Sequence, residues 1–204
     1  MALLYGWGDS HRAGWALIPY FVDHGDYFRL VTAGFVHFGF LHIALNMFVL
    51  ATAGPQLEAM LGRVRFAALY AVSLLGSSAL SYLLLPPGHV VGNILVGGAY
   101  AGGASGAVFG VMGGLFVVFR RLHLDSRQLN AWILYSLVFS FIPGLHVDWR
   151  GHVGGLVTGA AVTWGIVHAP RRRRAWIQAG AVLAGLVVAI AVVAIRTATF
   201  PATG

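Results

Sequence analysis

Ser105, His152, His42 and Asn46 are the residues of this sequence whose types and spacing suit covalent chemistry. Serine is a poor nucleophile at neutral pH until a base takes its proton, and a neutral imidazole such as that of His152 is suited to that task. The oxyanion that forms when a serine attacks a carbonyl needs hydrogen-bond donors. His42 and Asn46 are i and i+4, so a helix would project both from one face, with the backbone N–H of Ser105 as a third donor. His37, five residues before His42, reads as structural, bonding the chain that enters that helix. No Asp or Glu accompanies His152 in an apolar stretch, and Asp148 falls in the turn before it. A two-member Ser105–His152 dyad, its ring oriented by packing, is therefore simpler than a triad. This chemistry is acyl transfer to a serine, and it calls for no metal and no cofactor.

These residues must be positioned by elements that live in lipid. Of the 204 residues 58% are hydrophobic and 9% charged, against about 25% charged in soluble domains. A water-soluble fold would have too little polar surface to cover itself. Cysteine is absent, which excludes disulfides and thiolate metal sites. The formal charge is +7, and all thirteen basic residues are arginine. They cluster between apolar segments, which fits a topology signal and contact with anionic lipid rather than nucleic-acid binding.

Six apolar stretches, at about 35–55, 64–85, 104–119, 129–146, 152–168 and 176–195, read as membrane spans and hence as helices. Gly54-Pro55, Pro86-Pro87-Gly88, Pro143-Gly144 and Pro170 break the pattern between them. Arg63, Arg65, Arg120, Arg121, Arg127 and Arg171 to Arg174 fall on one side; Arg12, Arg29, Arg150 and Arg196 fall on the other. That bias puts the ends of the odd stretches in the cytoplasm and the 86–103 loop and 147–151 turn outside. Met1 to Trp7 is apolar but too short to span, and no basic n-region or cleavage site marks it as a signal peptide. The expected fold is an all-α transmembrane helix bundle. Residues 1–34 form an outer segment and membrane-associated loop, 35–168 the catalytic bundle, and 169–204 a basic loop, an extra span and a tail.

Depth and packing bring the serine and histidine together. Ser105 lies fifteen residues before Arg120, about 22 Å of helix at about 1.5 Å per residue, within a hydrocarbon core of about 30 Å. His152 opens a stretch running in the same direction and reaches a similar depth. Gly106, Gly110 and Gly114 recur every four residues, as do Gly151, Gly155 and Gly159. Two such glycine stripes allow two helix backbones to approach closely.

His37-Phe38-Gly39-Phe40-Leu41-His42, with Asn46 four residues on, resembles the HxxxxHxxxN signature of rhomboid proteases. Gly103-Ala104-Ser105-Gly106 resembles their GxSG motif, and His152 with Gly155 and Gly159 resembles their HxxGxxxG helix. Phe28-Arg29 is similar to the WR element of the family's membrane-embedded loop, and Glu58 with Gly62 fits the end of the first signature helix. The likeness covers residues 20 to 168 in family order. It implies intramembrane cleavage of single-span membrane proteins beside or within their transmembrane segment. It implies Ser105 as nucleophile, His152 as base, and His42 and Asn46 as oxyanion donors. His37, Gly103, Gly106, Phe109, Gly155 and Gly159 are supporting residues. Membrane lipids and single-span substrates are the implied partners, and a bacterial plasma membrane, with the site opening to the extracytoplasmic side, is the expected location.

Three departures stand out. The first span of the family core is expected to be missing, leaving five plus the extra one at 176–195. Phe109 replaces a tyrosine common in relatives, and Phe28 replaces the tryptophan of the WR element. Two other readings compete: a zinc site on His37, His42 and His152, which lacks the spacing and carboxylate of a metallopeptidase helix, and a non-catalytic membrane adaptor or transporter. His11, His24, His89, His123, His146 and His168 read as interfacial, and most of the six tryptophans sit near span boundaries.

Overall fold

A computed structural model describes residues 14–91, 94–142 and 147–199. Met1 to Trp7, His11, Arg12, the Pro143-Gly144 breaker and His146 lie outside these described residues. The named helices are α1 Pro19–Asp23, α2 Arg29–Thr32, α3 Phe40–Leu61, α4 Arg63–Leu84, α5 Ser105–Arg121, α6 Arg127–Ser140, α7 Trp149–Val167 and α8 Arg174–Thr199. One small antiparallel hairpin, β1 His89–Val91 with β2 Ile94–Val96, interrupts the all-helical pattern in the α4–α5 connection.

Among the described residues three helical segments are long and apolar enough to cross a membrane: Phe40–Leu61, Arg63–Leu84 and Arg171–Thr199. Helices α5, α6 and α7 have 17, 14 and 19 residues. At about 1.5 Å per residue α6 is about 21 Å long, short of a hydrocarbon core of about 30 Å. Helix α7 is longer but opens on Trp149, Arg150 and His152 and carries glycines. Its polar and small residues face other helices rather than lipid.

The bundle is apolar outward and small or polar inward. Leu183, Val187, Val188, Ile190 and Ile195 of α8 are exposed, while Ser73, Ser77, Ser78 and Ser81 of α4 are buried. Between helices in lipid the drive is close packing rather than water exclusion, which favours small residues at the contacts. Helix α5 sits at the centre, packed on α7, α4 and α3, and α8 lies across α4 and α7. The apolar core is built from Leu57, Leu69, Val111, Leu115, Val162 and Ile166, among others.

Two boundaries differ from the sequence reading. Gly54-Pro55 was expected to end the first span, yet Pro55 lies inside α3, which continues to Leu61. Neighbouring helices and local adjustment satisfy the carbonyl freed by an intramembrane proline. The chain turns only at Gly62, at φ +83°, where its N–H bonds the carbonyl of Glu58 at 2.7 Å. The fourth stretch, expected to reach residue 146, ends as a helix at Ser140.

Segment 14–35 is tied down on both flanks. Arg29 is buried, donates to Asp26 and to the carbonyl of Ala16 at 3.0 Å each, and stacks on Phe21. Leu17 and Ala101 exchange two backbone hydrogen bonds of 2.9 Å, and Gly103 N–H donates to the carbonyl of Ala33 at 2.8 Å. The loop leading into Ser105 is thus held by the outer segment. On the other flank, Arg196 of α8 meets Asp23 at 3.8 Å, and the two side chains are 3% and 5% exposed. Arg196 also donates to the carbonyls of Leu83 and Leu85 and lies over the ring of Tyr82. The Tyr82 hydroxyl bonds Asp23 and Thr197.

Candidate active site

Ser105 is the first residue of α5, half-buried, so its backbone N–H has no partner within the helix. Phe109 lies one turn further along the same face. His152, in the first turn of α7, is 7% exposed, and its imidazole stacks on Phe109 with centroids 4.2 Å apart and planes 15° from parallel. Gly106 and Gly110 make that approach possible. A Cβ on Gly155 would overlap the carbonyl oxygen of Gly106, and one on Gly159 that of Gly110. The helices bearing the serine and the histidine therefore touch backbone to backbone along their glycine stripes.

His42 approaches Ser105 from the opposite helix. A Cβ on Gly103 would lie 2.8 Å from His42 Nε2 and 3.6 Å from Ser105 Oγ, so the two side chains meet across a residue that must be glycine. The φ of Gly103, +129°, demands glycine independently. The N–H of Phe38 donates to His42 Nδ1 at 3.4 Å. That leaves the proton of a neutral ring on Nε2, the nitrogen beside Gly103. Asn46 is buried on the same face, and its amide nitrogen donates one proton to the carbonyl of His42 at 3.0 Å. The second amide proton is left to point elsewhere.

His37 donates from Nδ1 to the carbonyl of Phe35 at 3.2 Å and packs edge-on against His42, 5.2 Å between centroids. Asp148 accepts from the N–H groups of Arg150 and Gly151 and from the hydroxyl of Ser81, so it caps α7 rather than reaching His152. Behind Ser105 lies a cavity of about 20 Å³, bordered by Ser77, Ser78, Ser81, Gly103 and Asp148. That is room for about one water molecule among polar partners.

Sequence reasoning missed Ser140. At the end of α6, 5% exposed, its Oγ lies 2.7 Å from His152 Nδ1. The expected orientation of the ring by packing alone is therefore supplemented by a hydroxyl. No motif marks this serine, because only the approach of α6 to α7 gives it its partner.

The sequence that builds this arrangement matches a known family. The pattern described as Rhomboid domain matches residues 24–169. The chain belongs to the rhomboid family. It is 32% identical over 152 residues to the mitochondrial RHOMBOID-like protein 6 of Arabidopsis thaliana, covering 68% of this chain and 43% of that one. It is 31% identical over 157 residues to the putative rhomboid protease YdcA of Bacillus subtilis, covering 74% and 73% of the two chains. The rhomboid protease GluP of the same bacterium is 31% identical over 143 residues, covering 68% of this chain and 26% of that relative. This rhomboid thus spans less than half the length of the plant relative and about three quarters of the first bacterial one. Family membership and the apolar helices make it an integral membrane protein.

Proposed function

We propose that this rhomboid is an intramembrane serine endopeptidase that cleaves single-span membrane proteins in or near their transmembrane segment. The observation that carries the reading is the stacking of His152 on Phe109, one turn from Ser105 on the same helix face. His152 Nε2 takes the Ser105 proton as Oγ attacks the scissile carbonyl, and then returns it to the leaving amine. The negative charge forming on the carbonyl oxygen is received by the Ser105 N–H at the start of α5, by His42 Nε2–H and by the second amide proton of Asn46. A water from the cavity behind Ser105 then hydrolyses the acyl-enzyme, with His152 again as base.

In this reading residues 35–168 are the catalytic bundle, residues 1–34 its outer segment, and residues 169–204 an added span with its basic loop. All six long helices sit at membrane depth, with α5 at their centre and α6 on the rim. The arginines after α3, α5 and α7 lie on the cytoplasmic side, so the site opens outward. In a bacterium that membrane is the plasma membrane. Substrate helices and lipid are its partners.

Reconstitution in liposomes with a model single-span substrate tests the proposal. Wild type should cleave, while Ser105→Ala and His152→Ala should each lose more than about a thousandfold in kcat. EDTA should leave the wild-type rate unchanged. Undiminished cleavage by Ser105→Ala would sink the reading, and loss of activity on chelation would move it to the histidine-zinc alternative.

A further inference from the structure

We infer that Ser140 is a positioning residue that fixes the tautomer of His152, making the base a three-residue device without a carboxylate. The inference rests on the Ser105–His152 reading above and adds to it the origin of the base's polarity.

The Ser140 hydroxyl has two neighbours: the carbonyl oxygen of Ser136 at 2.6 Å and His152 Nδ1 at 2.7 Å. A hydroxyl carries one proton and two lone pairs. The carbonyl of Ser136 can only accept, and two oxygens 2.6 Å apart with no proton between them would repel, so the Ser140 proton lies on that line. What Ser140 turns toward His152 is then a lone pair, and Nδ1 must supply the hydrogen. A neutral imidazole protonated at Nδ1 has its free lone pair on Nε2, the nitrogen that a base attacking Ser105 must use. Back-bonding of a serine to its own helix is ordinarily a local matter of helix capping and bending. Here it sets the direction of the next hydrogen bond along. Burial of both side chains keeps water from offering His152 a competing partner.

The geometry also accounts for the absence of a carboxylate beside the His152 ring among the described residues. Asp148, the nearest acid in sequence, is spent on the N-terminus of α7. A hydroxyl held by a backbone carbonyl selects the tautomer without placing a charge at membrane depth, where charge is costly. Ser140 is also the one buried residue of α6, so this bond is where that helix touches the catalytic centre.

The test combines nitrogen-15 NMR of the folded protein with kinetics on a single-span substrate in liposomes. The His152 signals, assigned by their loss in His152→Gln, should show protonated Nδ1 and unprotonated Nε2 in wild type. Ser140→Ala should give a mixture of tautomers and lose about tenfold in kcat with KM within twofold, and Ser140→Thr should restore both. A wild-type His152 protonated at Nε2, or Ser140→Ala with unaltered kcat, would overturn the inference. The wild-type spectrum decides the point even if Ser140→Ala fails to fold. Activity surviving in Ser105→Ala would instead remove the dyad, and is a separate result.

Discussion

The ring of Phe109 lies against the imidazole of His152, 4.2 Å between centroids and 15° from parallel. In the proposed mechanism this aromatic face, without a hydroxyl, holds His152 in place. Phe109→Tyr should keep the wild-type rate, whereas Phe109→Leu should lower kcat by up to about tenfold, the worth of a good aromatic pair. Single-turnover cleavage rates of the two variants check this, and equal rates for both would refute it.

Gly103 separates His42 from Ser105. A Cβ there would press on His42 Cε1 and Nε2 at 2.8 Å, at a backbone φ of +129° that side chains avoid. Gly103→Ala is expected to displace the His42 donor and cost about a hundredfold in kcat, the order of one oxyanion contact. The strained φ should also lower stability by about 1–3 kcal/mol, so kcat is compared on protein shown to be folded at the assay temperature. A variant that cleaves normally would show that His42 does not serve the oxyanion.

The contact of α5 with α7 depends on missing side chains. Gly155→Ala puts a methyl into the carbonyl of Gly106, and the two helices must part. A loss of about 3 kcal/mol or more is expected from overpacking at an interface that cannot shift cheaply. Gly180 of α8 has nothing within 4 Å of its Cβ position, so Gly180→Ala should be neutral or stabilise by up to about 1 kcal/mol. Denaturant titrations of both variants by circular dichroism measure the difference.

The Asp23–Arg196 pair, both partners nearly inaccessible, fastens α8 to the outer segment. Arg196→Met alone strands a buried carboxylate and should cost about 3–5 kcal/mol. Adding Asp23→Leu should recover much of that loss, since an apolar pair replaces a charged one. If the double variant is no more stable than the single one, the pair is not what joins the two elements.

The sequence made legible whatever repeats along one helix. The glycine stripes, the i, i+4 placement of His42 and Asn46, and the apolar runs all follow from a period of 3.6 residues, and each helix presents them where that period requires. Relationships between distant segments were not legible. Arg196 counts in the sequence as a topology signal on the outer side, but its partner Asp23 comes from a segment that periodicity does not place. Ser140 reads as one more small residue at a span end until α7 arrives beside it. Pro55 reads as a stop because the rule for proline is a rule for isolated helices, and α3 is not isolated. The 89–96 hairpin lies in a stretch that turn residues mark only as a loop.

The distance in sequence between Asp23 and Arg196 has a consequence for biosynthesis. A ribosome delivers the outer segment first, then the serine and the histidine, and only afterwards the arginine that fastens the outer segment from the α8 side. During insertion the nascent rhomboid already holds its reactive groups but has not yet received its last fastener. Until then Asp23 lacks its buried charged partner, and chains stalled before Arg196 are expected to unfold at lower denaturant than the full chain. Translation order thus makes the docking of α8 against α4 the last step that fixes the outer segment.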